Sequence, residues 1–186
     1  DLLSSSVGPV FYSAVFSGIA MKNVVPCGHG DESGSVGAVE LTIWELKSKL
    51  AEEPACMTIA KNFSHSVEAD SSKVYASVGY YYAEDSASRL RKELEAYQAQ
   101  GYGAFKMKIG GATLTEDLDR IDTALMIAGS GNNLAVDANG RFDLDSALEY
   151  GEAIAPLGLR WYEEPGDPLD YQLNRELTQY YEGAIA

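Results

Sequence analysis

Ala104-Phe105-Lys106-Met107-Lys108-Ile109-Gly110-Gly111-Ala112-Thr113-Leu114-Thr115-Glu116-Asp117-Leu118 is the stretch that decides the fold. A short run rich in β-formers meets two glycines, and a helix-forming stretch follows at once, so the segment reads as strand, tight turn and helix. The glycines are not a phosphate loop, because the Gly-Lys-Ser/Thr ending is absent. The same alternation recurs on both sides. It predicts strands at 74–82, 104–109, 134–137 and 159–162, and helices at 86–100, 115–128, 144–155 and 169–181. Ser86 and Asp143 stand where N-caps belong, Gly101 and Gly129 where C-caps do.

Strand–helix units spaced about thirty residues apart predict parallel strands joined by right-handed crossovers. Such an α/β sheet is either doubly wound or closed into a barrel, and periodicity fits both. A complete barrel takes eight units and roughly 250 residues, so on the barrel reading these units make half of one. Upstream, Val36, Val39, Leu41, Ile43, Trp44, Leu46 and Leu50 predict a mostly buried helix over 33–50, ended by Pro54. The polar stretch 61–72 reads as a boundary loop.

Acidic residues number 28 against 14 basic ones, for a net charge of -14. No basic cluster is dense enough to follow a phosphate backbone, which excludes nucleic acid as a partner. Cys27 and Cys56 lie far apart without metal-type spacing; they are expected to be buried small hydrophobes in a reducing, cytoplasmic compartment. The apolar run 10–21 is broken by Ser13, Ser17 and Gly18 and follows an acidic Asp1, so neither a signal peptide nor a membrane span is expected. The chain begins without Met and stops in what reads as an opening strand near Ala184, so both ends are expected to be truncations.

Lys106 and Lys108 flank Met107, and strand periodicity puts both ammonium groups on one face. Taken alone, they also suit a solvated strand end. The neighbouring strands change the balance: Val136-Asp137-Ala138-Asn139 ends one strand with an acid, and Trp161-Tyr162-Glu163-Glu164-Pro165 ends the next with two. In parallel α/β folds ligands bind at that edge, and barrel enzymes draw their chemistry from several strand ends. Asp137 suits an Asx-turn equally well, and Glu163 a solvated loop. Together with the lysines, the carboxylates read as hard oxygen ligands for Mg²⁺. A lysine base beside bound Mg²⁺ is what removing a weakly acidic proton α to a carboxylate requires, since the enediolate must meet positive charge. A second cation nearby is expected to lower the pKa of the base.

Lys106-Met107-Lys108, Asp137-Ala138-Asn139 and Glu163-Glu164-Pro165, in this order and spacing, resemble the mandelate racemase and muconate-lactonizing branch of the enolase superfamily. Gly79-Tyr80-Tyr81-Tyr82, Gly28-His29-Gly30, Trp44 and the stretch from Gly166 to Tyr171 look most like its D-tartrate dehydratases. The resemblance implies a (β/α)₇β TIM-like barrel with an α+β capping domain, here a partial capping domain over 1–72 and the first half-barrel over 73–186. It implies Lys108 as the base and Lys106 as its companion. Asp137 and Glu163 are implied as Mg²⁺ ligands, Asn139 as a substrate contact, and Glu164 as pointing away from the metal. Tyr80, Tyr81 and Tyr82 end the first strand and suit aromatic packing, with the Tyr81 hydroxyl expected to reach the substrate. The implied reaction is dehydration of an acid-sugar or tartrate-like hydroxycarboxylate in a homo-oligomer, with racemisation, epimerisation or cycloisomerisation by the same proton abstraction as one alternative and a non-catalytic doubly wound binding module as another. The family's third acidic ligand and partner histidine belong to later strands. His29 and His65 sit in loops and are expected to be structural, and the isolated chain is expected to be inactive or to aggregate through open strand edges.

Overall fold

The computed structural model describes residues 31–66, 71–82 and 86–186, which fall in two compact units, Asp1–Ser72 and Lys73–Ala186. The predicted stretches around residues 10–21, Cys27 and His29 lie outside the described residues.

In the second unit four strands form one parallel sheet in the order in which they occur: β1 (Ala76–Val78), β2 (Phe105–Lys108), β3 (Leu134–Asp137) and β4 (Tyr162–Glu163). Between them run α3 (Ser86–Ala99), α4 (Leu114–Ala128) and α5 (Leu144–Ile154), and α6 (Tyr171–Leu177) follows β4. Each strand adds beside its predecessor. A doubly wound sheet reverses direction at a switch point, whereas unbroken sequential order is that of a barrel wall. The ladder continues past β4, where Ile185 bridges Tyr162 in parallel and Ala186 donates to the Tyr162 carbonyl at 3.1 Å.

The helices start where the side chains can cap them. Thr113 and Glu116 form a reciprocal capping box on α4, and Asp143 accepts from the Ser146 N–H at the start of α5. Asp170 does the same for Leu173 on α6. Gly129 ends α4 in the left-handed conformation. Ser86 is the first residue of α3, and its capping position lies outside the described residues.

Strand alternation sorts the two faces of the sheet. Val78, Phe105, Met107, Leu134, Val136 and Tyr162 are fully or almost fully buried against Leu90 and Leu94 of α3, Ile121 and Ala124 of α4, and Ile154 of α5. The interleaved positions face the other way. Register puts Ser77, Lys106 and Ala135 in one row and Lys108, Asp137 and Glu163 in the next, nearer the strands' C-terminal ends.

Several expectations need correction. β1 is three residues long and not 74–82, because Gly79 takes φ +75° and turns the chain out of the ladder, so Tyr80, Tyr81 and Tyr82 follow the strand and do not end it. Regular pairing in β4 begins at Tyr162 and not at Leu159. α6 is shorter than 169–181.

In the first unit, α1 (Asp31–Leu50) is joined by an unforeseen second helix, α2 (Ala55–Asn62), that starts directly after Pro54. Proline is well suited to precede a helix as well as to end one. α1 is not mostly buried: Trp44 and Ser48 are, with Trp44 packing on Phe63, but Val39, Leu46 and Leu50 lie on the opposite side and are exposed. Cys56, on the first turn of α2, is exposed rather than buried.

Candidate active site

Lys106, Lys108, Asp137 and Glu163 form one ionic cluster at the C-terminal ends of β2, β3 and β4. Lys106 Nζ lies 2.5 Å from Glu163 Oε1 and 3.0 Å from Asp137 Oδ2, and Lys108 Nζ lies 2.5 Å from the same Asp137 oxygen. The free oxygens are also held. Asp137 Oδ1 accepts from the Asn139 N–H at 2.9 Å and Glu163 Oε2 from the Trp161 indole N–H at 2.7 Å. Asp137 therefore makes the Asx-turn and the ion pairs together, one with each oxygen.

The cluster is well shielded from solvent, with Asp137 1% exposed and Lys106 12%. Burial disfavours the Lys106 ammonium, but hydrogen bonds and charge from Glu163 and Asp137 outweigh it and hold the group above the usual lysine range. Burial likewise works against ionised Asp137, and Lys108, Lys106 and the Asn139 N–H reverse it, so that the carboxyl sits below its ordinary value. Beneath Lys106, the Tyr75 ring lies 5.7 Å from the ammonium and meets Trp161 edge-on at 5.4 Å.

Asn139 reaches Asp137 through its backbone; its side chain is exposed, at φ +52°. Glu164, also at positive φ, is not in the cluster and lines a separate cleft with Arg175 and Ile185. Tyr81 is placed elsewhere too: its hydroxyl donates to Asp117 of α4 at 2.5 Å, and its ring lies 3.9 Å from the Arg120 guanidinium. His65 is exposed.

Asp117 and Arg120 went unremarked in the sequence, yet they are buried polar residues under the strand ends. A signal was present. On α4 the buried positions are Asp117, Arg120, Ile121, Ala124 and Ala128, so both charged residues lie in phase with the apolar stripe, where a solvated ion pair would not be.

Whether the site suits Mg²⁺ is decided by its donors. Among the described residues no three His, Cys, Asp or Glu side chains gather as a metal cage. Asp137 and Glu163 nevertheless direct an oxygen each at one positive charge, the Lys106 ammonium, and Mg²⁺ commonly takes only one or two protein carboxylates, with water and substrate oxygens completing the shell. The pair fits as part of such a site.

Sequential parallel strands with their charged residues at the C-terminal edge define a TIM-type α/β-barrel protein. The chain belongs to the enolase superfamily, its residues 89–186 matching the family described as Enolase C-terminal domain-like. The arabinonate dehydratase of Saccharolobus solfataricus is 28% identical over 151 residues, which are 81% of this chain and 39% of that protein. The 3,6-anhydro-alpha-L-galactonate cycloisomerase of Streptomyces coelicolor is 31% identical over 150 residues, again 81% of this chain and 39% of that protein. A solved racemase from Streptomyces coelicolor A3(2) with bound magnesium superposes with a TM-score of 0.73 at 26% identity, over 98% of this chain and 48% of that one. The chain thus spans about two fifths of the length of these curated relatives. No helix among the described residues is long and apolar enough to cross a membrane.

Proposed function

We propose that this chain supplies the proton-abstracting part of a magnesium-dependent dehydratase acting on an acid-sugar or tartrate-like hydroxycarboxylate. The observation that carries this reading is the convergence of two lysines on two carboxylates from neighbouring strand ends. Residues 1–72 then belong to a capping domain and 73–186 to the first half of a (β/α)₇β barrel, in a cytoplasmic homo-oligomer.

Asp137 and Glu163 would hold the metal, and when bound a magnesium ion supplies positive charge to the substrate carboxylate. Lys108 Nζ takes the α-proton, and the electron pair left behind spreads onto the carboxylate as an enediolate. Lys106 Nζ, which occupies the place between Glu163 and Asp137 in this structure, would yield that place to the metal and present a proton donor to the developing charge. The β-hydroxyl then leaves as water with a proton from an acid on another strand, and the enol ketonises. Asn139 and Tyr81 are proposed as substrate contacts; Tyr81 has to leave Asp117 to serve as one.

Racemisation or cycloisomerisation is the second reading, favoured by the cycloisomerase relative at 31% identity. It shares the first step and differs in the fate of the enediolate. Solvent deuterium entering the α-carbon without loss of water selects it. The shared step is tested by Lys108→Ala in the protein with its whole barrel: turnover is lost while Mg²⁺ binding is kept, and retained turnover contradicts the assignment.

A further inference from the structure

We infer that Arg120, held by Asp117, is a positioning residue for Lys108, a proposal that rests on the reading of Lys108 as the base. The two lysines of β2 are supported differently. Lys106 lies inside the ladder, opposite Ser77 of β1 and Ala135 of β3. Lys108 lies one step beyond the end of β1, whose last pairing is Val78 with Met107, so only β3 flanks it. On the unflanked side Arg120 takes over. Its Nη1 donates to the Lys108 carbonyl at 3.0 Å and its Nη2 to the Gly79 carbonyl at 2.5 Å, bridging the strand ends where β1 turns away.

Asp117 completes the clamp. One carboxylate oxygen accepts from Arg120 Nη1 at 2.9 Å and from the Tyr81 hydroxyl; the other accepts from the Gly110 N–H at 2.7 Å and the Tyr150 hydroxyl at 3.0 Å. The Ile109 N–H is bound to the Asp137 carbonyl at 2.9 Å. Carbonyl 108, N–H 109 and N–H 110 are therefore each fixed by a different partner, and they set the direction of the Lys108 side chain. Asp117 is 0% exposed and Arg120 5%, so the network is shielded from competing water. A base displaced by about 1 Å forfeits about a hundredfold in rate, so backbone support of this kind matters to chemistry beyond stability.

The test is Arg120→Gln, with two readouts. In the protein with its whole barrel, reductive methylation followed by peptide mass spectrometry should modify Lys108 at least threefold faster than in the parent, with exposed Lys73 and Lys92 unchanged. In the same protein, kcat for turnover should fall about tenfold or more with KM held within threefold. A folded Arg120→Gln protein with parental Lys108 methylation and parental kcat overturns the proposal. If Arg120→Gln fails to fold, Tyr150→Phe, which removes one bond to Asp117, decides the matter: faster Lys108 methylation supports the clamp and an unchanged rate overturns it. Retained turnover in Lys108→Ala defeats the assignment of the base instead, so the two failures are distinguishable.

Discussion

Asp137 and Glu163 are register partners on adjacent parallel strands, and each turns one carboxylate oxygen toward the same ammonium, that of Lys106. Two acids this close repel unless a cation lies between them. Lys106 meets that requirement in the ion-paired state, and a divalent cation would meet it with more charge.

Replacing Lys106 with Met should therefore destabilise the chain by about 3 kcal/mol, since a shielded carboxylate pair loses its shared partner. Added Mg²⁺ should recover more of the melting temperature in this variant than in the parent, because a ligand that binds only the folded state stabilises it. Calorimetry with and without Mg²⁺ reads both effects, and an identical Mg²⁺ response in the two proteins would count against the carboxylates as ligands.

Gly110 is at φ +78°, and a Cβ there would lie 2.8 Å from the Phe142 ring. Gly110→Ala combines backbone strain with a clash on a ring that stacks on Tyr150 at 4.4 Å, so a loss of about 2 kcal/mol or more is expected in urea unfolding.

Thr113→Ala removes the capping box of α4 and should cost about 1 kcal/mol. The Thr113 hydroxyl, followed by its N–H, holds the Glu116 carboxyl below its ordinary value. Glu116 therefore adds stability that is present above the unfolded carboxylate pKa of 4.5 and fades as pH falls through the lower folded value. The variant should show a flatter acid limb in a pH series of melts, and an unaltered limb would contradict this.

The parts of the fold that were legible in the sequence are those fixed locally. β3 and the starts of α4 and α5 follow from short-range rules, namely a β-rich run and side chains that cap a helix within three residues. The lysine and carboxylate positions were legible because strand alternation carries them to one edge. The limits of β1 were not, since Gly79 ends the strand by a left-handed turn inside a run of aromatics that favours extension. The Asp117–Arg120 clamp depends on contacts from residues 41 positions apart in the chain, between Gly79 and Arg120, which no local pattern encodes.

Turnover followed in D₂O tests the central claim most directly. In D₂O with Mg²⁺, the protein with its whole barrel should convert an acid-sugar substrate to a product that has lost water and carries solvent deuterium at the former β-carbon, as seen by ¹H NMR, and Lys108→Ala should abolish this while still binding Mg²⁺. Undiminished turnover in Lys108→Ala would contradict the account, because the base would then lie elsewhere.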